Sequence, residues 1–200
     1  MKSLEEVGCG TRCTHIGADG DHPRELWGEG PWQIEPDRVD FRHAGFACLL
    51  HRNRAGNWCG YVGVPPGHPL HGVGYSDESP ALAEALERRK KHPIGDNPGM
   101  AVMLACLTGE LAPRPEIVLD VHGGPTYSGA CQGHLCHVPE AGEPDALWWF
   151  GFDCGHSDDY TPAYDHEYRL SFKRHAVYRD LAYVRRETES LAQQLAALAA

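Results

Sequence analysis

Residues 146–156 read Ala-Leu-Trp-Trp-Phe-Gly-Phe-Asp-Cys-Gly-His. In an extended chain Leu147 and Trp149 fall on one side, and Trp148, Phe150 and Phe152 on the other. A strand that is apolar on both sides must be covered on both, which places it inside a sheet rather than at the edge. The chain therefore needs a layered domain with partners for such a sheet. Residues 39–52 supply one candidate strand, with Phe46, Cys48 and Leu50 on one parity and Ala47, Leu49 and His51 on the other. An Asn/Gly-rich turn over 52–57 leads into a return strand over 58–64, and Pro65-Pro66-Gly67-His68-Pro69 ends it. Residues 116–122 read as a further strand, with Ile117, Leu119 and Val121 on one face and Val118, Asp120 and His122 on the other. A short strand is expected over 134–139.

Between these strands lies helical sequence. Ser79-Pro80 opens a helix carrying Leu82 and Leu86 and ending in four cations over 88–91. Asn97-Pro98-Gly99 opens a second one over 100–111, closed by Pro113 and Pro115. From about Ser171 the spacing of Val177, Leu181, Val184, Thr188, Leu191, Leu195 and Leu198 predicts a long helix with one apolar seam. Such a seam packs on the chain's own sheet or, as the alternative, joins two chains into a homo-oligomer. The expected fold is α+β: a mostly antiparallel sheet of about five strands, a helical insertion of about 79–112 and a C-terminal helix packed on the sheet. Residues 1–38 read as a loop-rich arm, and 39–200 as one domain with its insertion spanning 76–115.

Charge and composition narrow the setting. The formal net charge is −10 and the longest basic run is four residues, which argues against nucleic acid as a partner. Membrane spans need roughly 18 or more consecutive apolar residues, and no such run occurs. The first residues, Met-Lys-Ser-Leu-Glu-Glu, lack the apolar run of a signal peptide, so a cytoplasmic location is expected. Eight cysteines in such a compartment are expected to be reduced. Cys9, Cys13 and His15 have no second donor pair at zinc-finger spacing and read as loop residues.

Donor residues concentrate between Asp120 and Asp159: Asp120 and His122, then His134, Cys136 and His137, then Asp153, Cys154, His156, Asp158 and Asp159. If the strands over 116–122 and 146–156 are neighbours, His122, Cys154 and His156 meet at one end. Imidazole and thiolate suit Zn2+, and a catalytic zinc keeps one position for water. Asp120 or Asp153 would then act as general base or orient a ligating imidazole. The same residues also suit a metal-free hydrogen-bond network or a small-ligand pocket. A second group, His68 on its Pro-Gly turn, Tyr127 after the Gly123-Gly124 turn, Trp148 and Arg52, offers stacking and pairing groups to a small polar ligand.

Three motifs together resemble a group of bacteriophage and actinobacterial proteins without an assigned activity. They are Trp58-Cys59-Gly60-Tyr61-Val62 with Val64-Pro65-Pro66-Gly67-His68-Pro69, Val121-His122-Gly123-Gly124 with Thr126-Tyr127-Ser128-Gly129, and Trp148-Trp149-Phe150-Gly151-Phe152-Asp153-Cys154 with His156. The likeness covers about 36–195 and skips the helical stretch. It implies a bacterial or phage cytosol, where small proteins capture or destroy signalling nucleotides. The leading expectation is a metal-dependent hydrolase of a small phosphorylated or amide substrate. The alternatives are a non-catalytic binder of a nucleotide-like ligand and an interaction protein assembling through its C-terminal helix.

Overall fold

The computed structural model describes residues 12–14, 24–91, 99–135, 137, 139, 142, 144–164 and 175–199. Cys9, His15 and Cys136 lie outside them, as do Asn97, Pro98 and the expected helix start at Ser171. Among the described residues six strands form one sheet: β1 (Arg12–Thr14), β2 (Arg38–His43), β3 (Phe46–Arg52), β4 (Trp58–Val64), β5 (Tyr127–Ala130) and β6 (Trp148–Asp153). Their order is β1-β2-β3-β4-β6-β5, and every neighbouring pair is antiparallel. Among the described residues the α-helices are α1 (Ala83–Arg89), α2 (Met100–Thr108), α3 (Pro115–Val118) and α4 (Leu181–Ala199). The fold is thus α+β with a mostly helical stretch between β4 and β5 and a long C-terminal helix on the sheet. No helix among the described residues is long and apolar enough to cross a membrane.

The doubly apolar segment behaves as its pattern requires. β6 lies between β4 and β5. Phe150 and Phe152 join one core with Trp58, Val62 and the helices, while Trp149 and Leu147 join another with Leu49, Cys59 and Tyr61. α4 lies across the first face, burying Val184, Thr188, Leu191, Ala192 and Leu195. Its seam is therefore occupied by the chain's own sheet. Close approach depends on Gly60 of β4, where an added Cβ would come within 2.2 Å of Thr188 Oγ1.

Several expected elements differ. Residues 39–52 are two strands, because Ala44 (φ 49°) and Gly45 (φ 87°) form a two-residue hairpin turn between His43 and Phe46. Residues 116–122 are not a strand. Pro115 starts the single-turn helix α3, and Ile117, Val118, Leu119 and Val121 are all buried, so burial does not alternate. Residues 121–124 then turn, with Gly124 N–H donating to Val121 O at 2.9 Å. The Gly-rich stretch continues into the edge strand β5. Gly133–Leu135 is a 3-10 helix, which displaces the start of the strand expected over 134–139. Val177 precedes α4 and bridges Asp159 in parallel instead of joining the seam. The described part of the N-terminal arm is packed: Trp27 and Trp32 are buried, and Trp32 stacks on Tyr160.

Glu35 joins this arm to the start of α4. Its Oε1 accepts the Leu181 N–H at 3.0 Å, and its Oε2 accepts from Arg52, Tyr178 and Trp58 at 2.8, 2.6 and 3.2 Å. Burial pushes the Glu35 carboxyl up, but those donors outweigh it and hold the group below its ordinary value.

Candidate metal centre

The site assembles from two turns and the approach to α4. The turn over 121–124 presents His122, a turn after β6 presents His156 and Asp159, and the parallel bridge at Val177 brings Arg179 alongside. His122 is 4 % exposed and Asp159 only 1 %. The His156 side chain is 37 % exposed, so the cluster opens to solvent on that side. One ligand atom from each of His122, His156 and Asp159 lies within 4.8 Å of the others, so the group can hold a metal ion.

Asp159 is the hub. Its Oδ2 accepts from His122 Nε2 at 2.7 Å, from the His156 backbone N–H at 3.0 Å and from His156 Nδ1 at 3.3 Å. Its Oδ1 accepts from Arg179 Nε at 2.8 Å. Burial alone would raise this carboxyl, but the His122, His156 and Arg179 bonds win and hold it well below the usual carboxylate range. The Asp159 hydrogen bond in turn raises the His156 imidazole above its ordinary value against the opposing effect of burial.

His122 is fixed from both ring nitrogens. Asp159 accepts only, so Nε2 carries the proton of their bond, while Nδ1 meets the Tyr183 hydroxyl at 2.9 Å. Its backbone N–H donates to Glu187 of α4 at 2.8 Å. Gly123 makes room for the second imidazole. Its φ of 68° favours glycine, and a Cβ there would sit 2.1 Å from His156 Cε1. Gly123 thus shapes the donor cluster.

Two of the three expected ligands, His122 and His156, do converge. The strand-neighbour argument that paired them does not hold, because β6 pairs with β4 and β5 and ends at Asp153. Cys154 stands outside the group. It is 1 % exposed in the core beneath α4, and burial raises its thiol strongly, which disfavours thiolate. Asp159 supplies the third donor instead. Asp120 is also displaced: it pairs with Arg89 at 2.7 Å, and its backbone is bound by Gln194. Asp153 lies nearer the cluster, accepting from Thr126 Oγ1 at 3.2 Å and from Gly155 N–H at 2.9 Å.

The four expected ligand-contacting residues do not share a site. His68 is buried between Leu195 O and Leu70 N–H, and Arg52 is spent on Glu35, Tyr178 and Gly56 O over the Trp58 ring. Trp148 donates to Val73 O, and Tyr127 stacks edge-on against Tyr61. Asp159 stood in the donor run without a ligand role, and Arg179 and Tyr183 were not singled out. His156-x-x-Asp159 spacing was the available signal for the first. Nothing local marked the other two. Of the expected cysteines, Cys48, Cys59, Cys106, Cys131 and Cys154 are free thiols.

A scan of protein-family models finds no match to the chain, and searches of curated proteins and of solved structures return none either.

Proposed function

We propose that the protein is a metal-dependent hydrolase acting on a small phosphorylated or amide substrate, with Zn2+ held by His122, His156 and Asp159. The observation that carries this reading is the mixed imidazole and carboxylate set, closed on one side by burial and open at His156. Two imidazoles with one carboxylate are a known catalytic zinc donor set, and three protein ligands leave a place for water. A zinc ion held there would supply a bound water whose pKa lies near neutrality, about 7.

The surroundings support the ligand roles. If His122 held a cation through Nε2, its proton would sit on Nδ1 and be donated to Tyr183, 2.9 Å away, which would orient the ring. His122 Nε2 and Asp159 Oδ2 stand 2.7 Å apart, a hydrogen-bond distance. Asp153, held at the end of β6 and acting electrostatically on His156, is a further carboxylate that could receive a proton from water.

The test is hydrolysis by tag-free protein, treated with chelator and then reloaded with one equivalent of zinc, against panels of phosphomonoesters and small amides. Turnover that needs zinc and disappears in Asp159→Asn supports the reading. Zinc bound without turnover of either class would reduce the site to a structural one.

A further inference from the structure

We infer that the substrate carried by this centre is a phosphomonoester, gripped by Arg179; this rests on the metal-centre reading above. Arg179 is held in place by two contacts that leave most of its donors unused. Nε donates to Asp159 Oδ1 at 2.8 Å, and the guanidinium lies over the Tyr183 ring, 4.9 Å from its centroid. Among the described residues its two terminal nitrogens make no other hydrogen bond. The side chain is 18 % exposed, so it is neither buried as a core arginine nor loose in solvent.

That geometry suits an oxyanion. A guanidinium presents a planar fork whose N–H groups match phosphate in pairs, and prior fixing reduces the entropy lost on binding. Charge points the same way. Asp159 both accepts from Arg179 and belongs to the donor set, while Glu187 and Asp153 stand beside the centre, so the guanidinium and the proposed cation share one directly bound carboxylate. Arg186 stands on the same tyrosine at 5.8 Å and makes no ion pair among the described residues. A neutral amide offers the guanidinium fork no anion to pair, whereas a phosphomonoester brings two negative charges to it. Electrostatic clamping of a phosphoryl group by arginine and metal is the usual catalytic use of such a pair.

The experiment measures inorganic phosphate binding by calorimetry on the full chain, with zinc loading checked by elemental analysis in each variant. The zinc-loaded wild type is expected to bind one phosphate, with acetate failing to compete. Arg179→Met is expected to keep its zinc and lose about 10-fold or more in phosphate affinity, the effect of one charged hydrogen-bond pair. Arg179→Lys keeps a cation beside Asp159 and guards against collapse of the carboxylate. It is expected to retain zinc and still bind phosphate several-fold more weakly.

Phosphate affinity unchanged in both variants, or no phosphate bound by the zinc-loaded wild type, overturns the inference while leaving the metal centre standing. Arginine-dependent phosphate binding by a wild type that takes up no zinc would instead overturn the metal centre and keep the anion site. If both variants lose zinc, the wild type decides. Zinc-dependent cleavage of p-nitrophenyl phosphate but not of an acyl p-nitroanilide upholds the assignment, and the reverse preference overturns it.

Discussion

Asp159 is the residue on which the centre turns, because a buried carboxylate with four donors cannot lose its charge without stranding them. Removing one partner of a buried ion pair costs about 3–5 kcal/mol. Asp159→Asn should therefore lower stability by an amount of that order in a urea titration at neutral pH, even before metal is added. The sign with pH follows from the depressed carboxyl. Its stabilisation is present above the unfolded carboxylate value and is lost as pH falls through the lower folded value. Gly123→Ala offers a complementary test. Its Cβ would occupy the space of His156, so loss of metal uptake with modest loss of fold is expected, read by zinc titration.

At this scale the sequence displayed His122 and His156 as a dense donor run. Asp159 stood in the same run without a role, because the direction of its Ser-Asp-Asp turn depends on the parallel bridge to Val177. Cys154 misled because its one-residue offset from Asp153 says nothing about which side of the sheet it faces once the strand has ended.

Elements show where periodicity suffices and where it fails. β4, β6 and the seam of α4 were legible because each buries a long continuous pattern. The hairpin at Ala44-Gly45 was not, since alternation passes through a two-residue turn with little disturbance. α3 was not, since a four-residue helix is too short to show its period and apolar cover on all sides mimics a strand.

Two predictions belong to the packing of α4. Gly60→Ala should push Thr188 and Phe152 apart and cost about 1–3 kcal/mol, the usual penalty for overpacking, measured as a lower thermal midpoint. His68 pins the turn after β4 to Leu195 O at 3.0 Å while its Nδ1 accepts the Leu70 N–H, and burial lowers its pKa. Its stabilisation is present above the ordinary histidine value and is lost as pH falls below about 6.5. The stability gap between wild type and His68→Gln should thus be wider at pH 7.5 than at pH 5, in paired urea titrations. An equal gap at both would show that the ring does not titrate against the fold.

Across the whole molecule, the candidate centre ties together segments far apart in sequence: the turn at His122, the turn after β6 and the entry to α4. A ligand that binds only this assembled state stabilises it by mass action, about 2.7 kcal/mol at a hundredfold excess over its dissociation constant. Zinc should accordingly raise the thermal midpoint of the wild type and leave Asp159→Asn unmoved. The most direct measurement is the metal content of tag-free protein after equilibration with zinc and gel filtration, compared with His122→Ala and His156→Ala. One equivalent of zinc per chain in the wild type, falling to near zero in both variants, is the result this account predicts. A wild type that retains no metal, or variants that retain as much as the wild type, would contradict it.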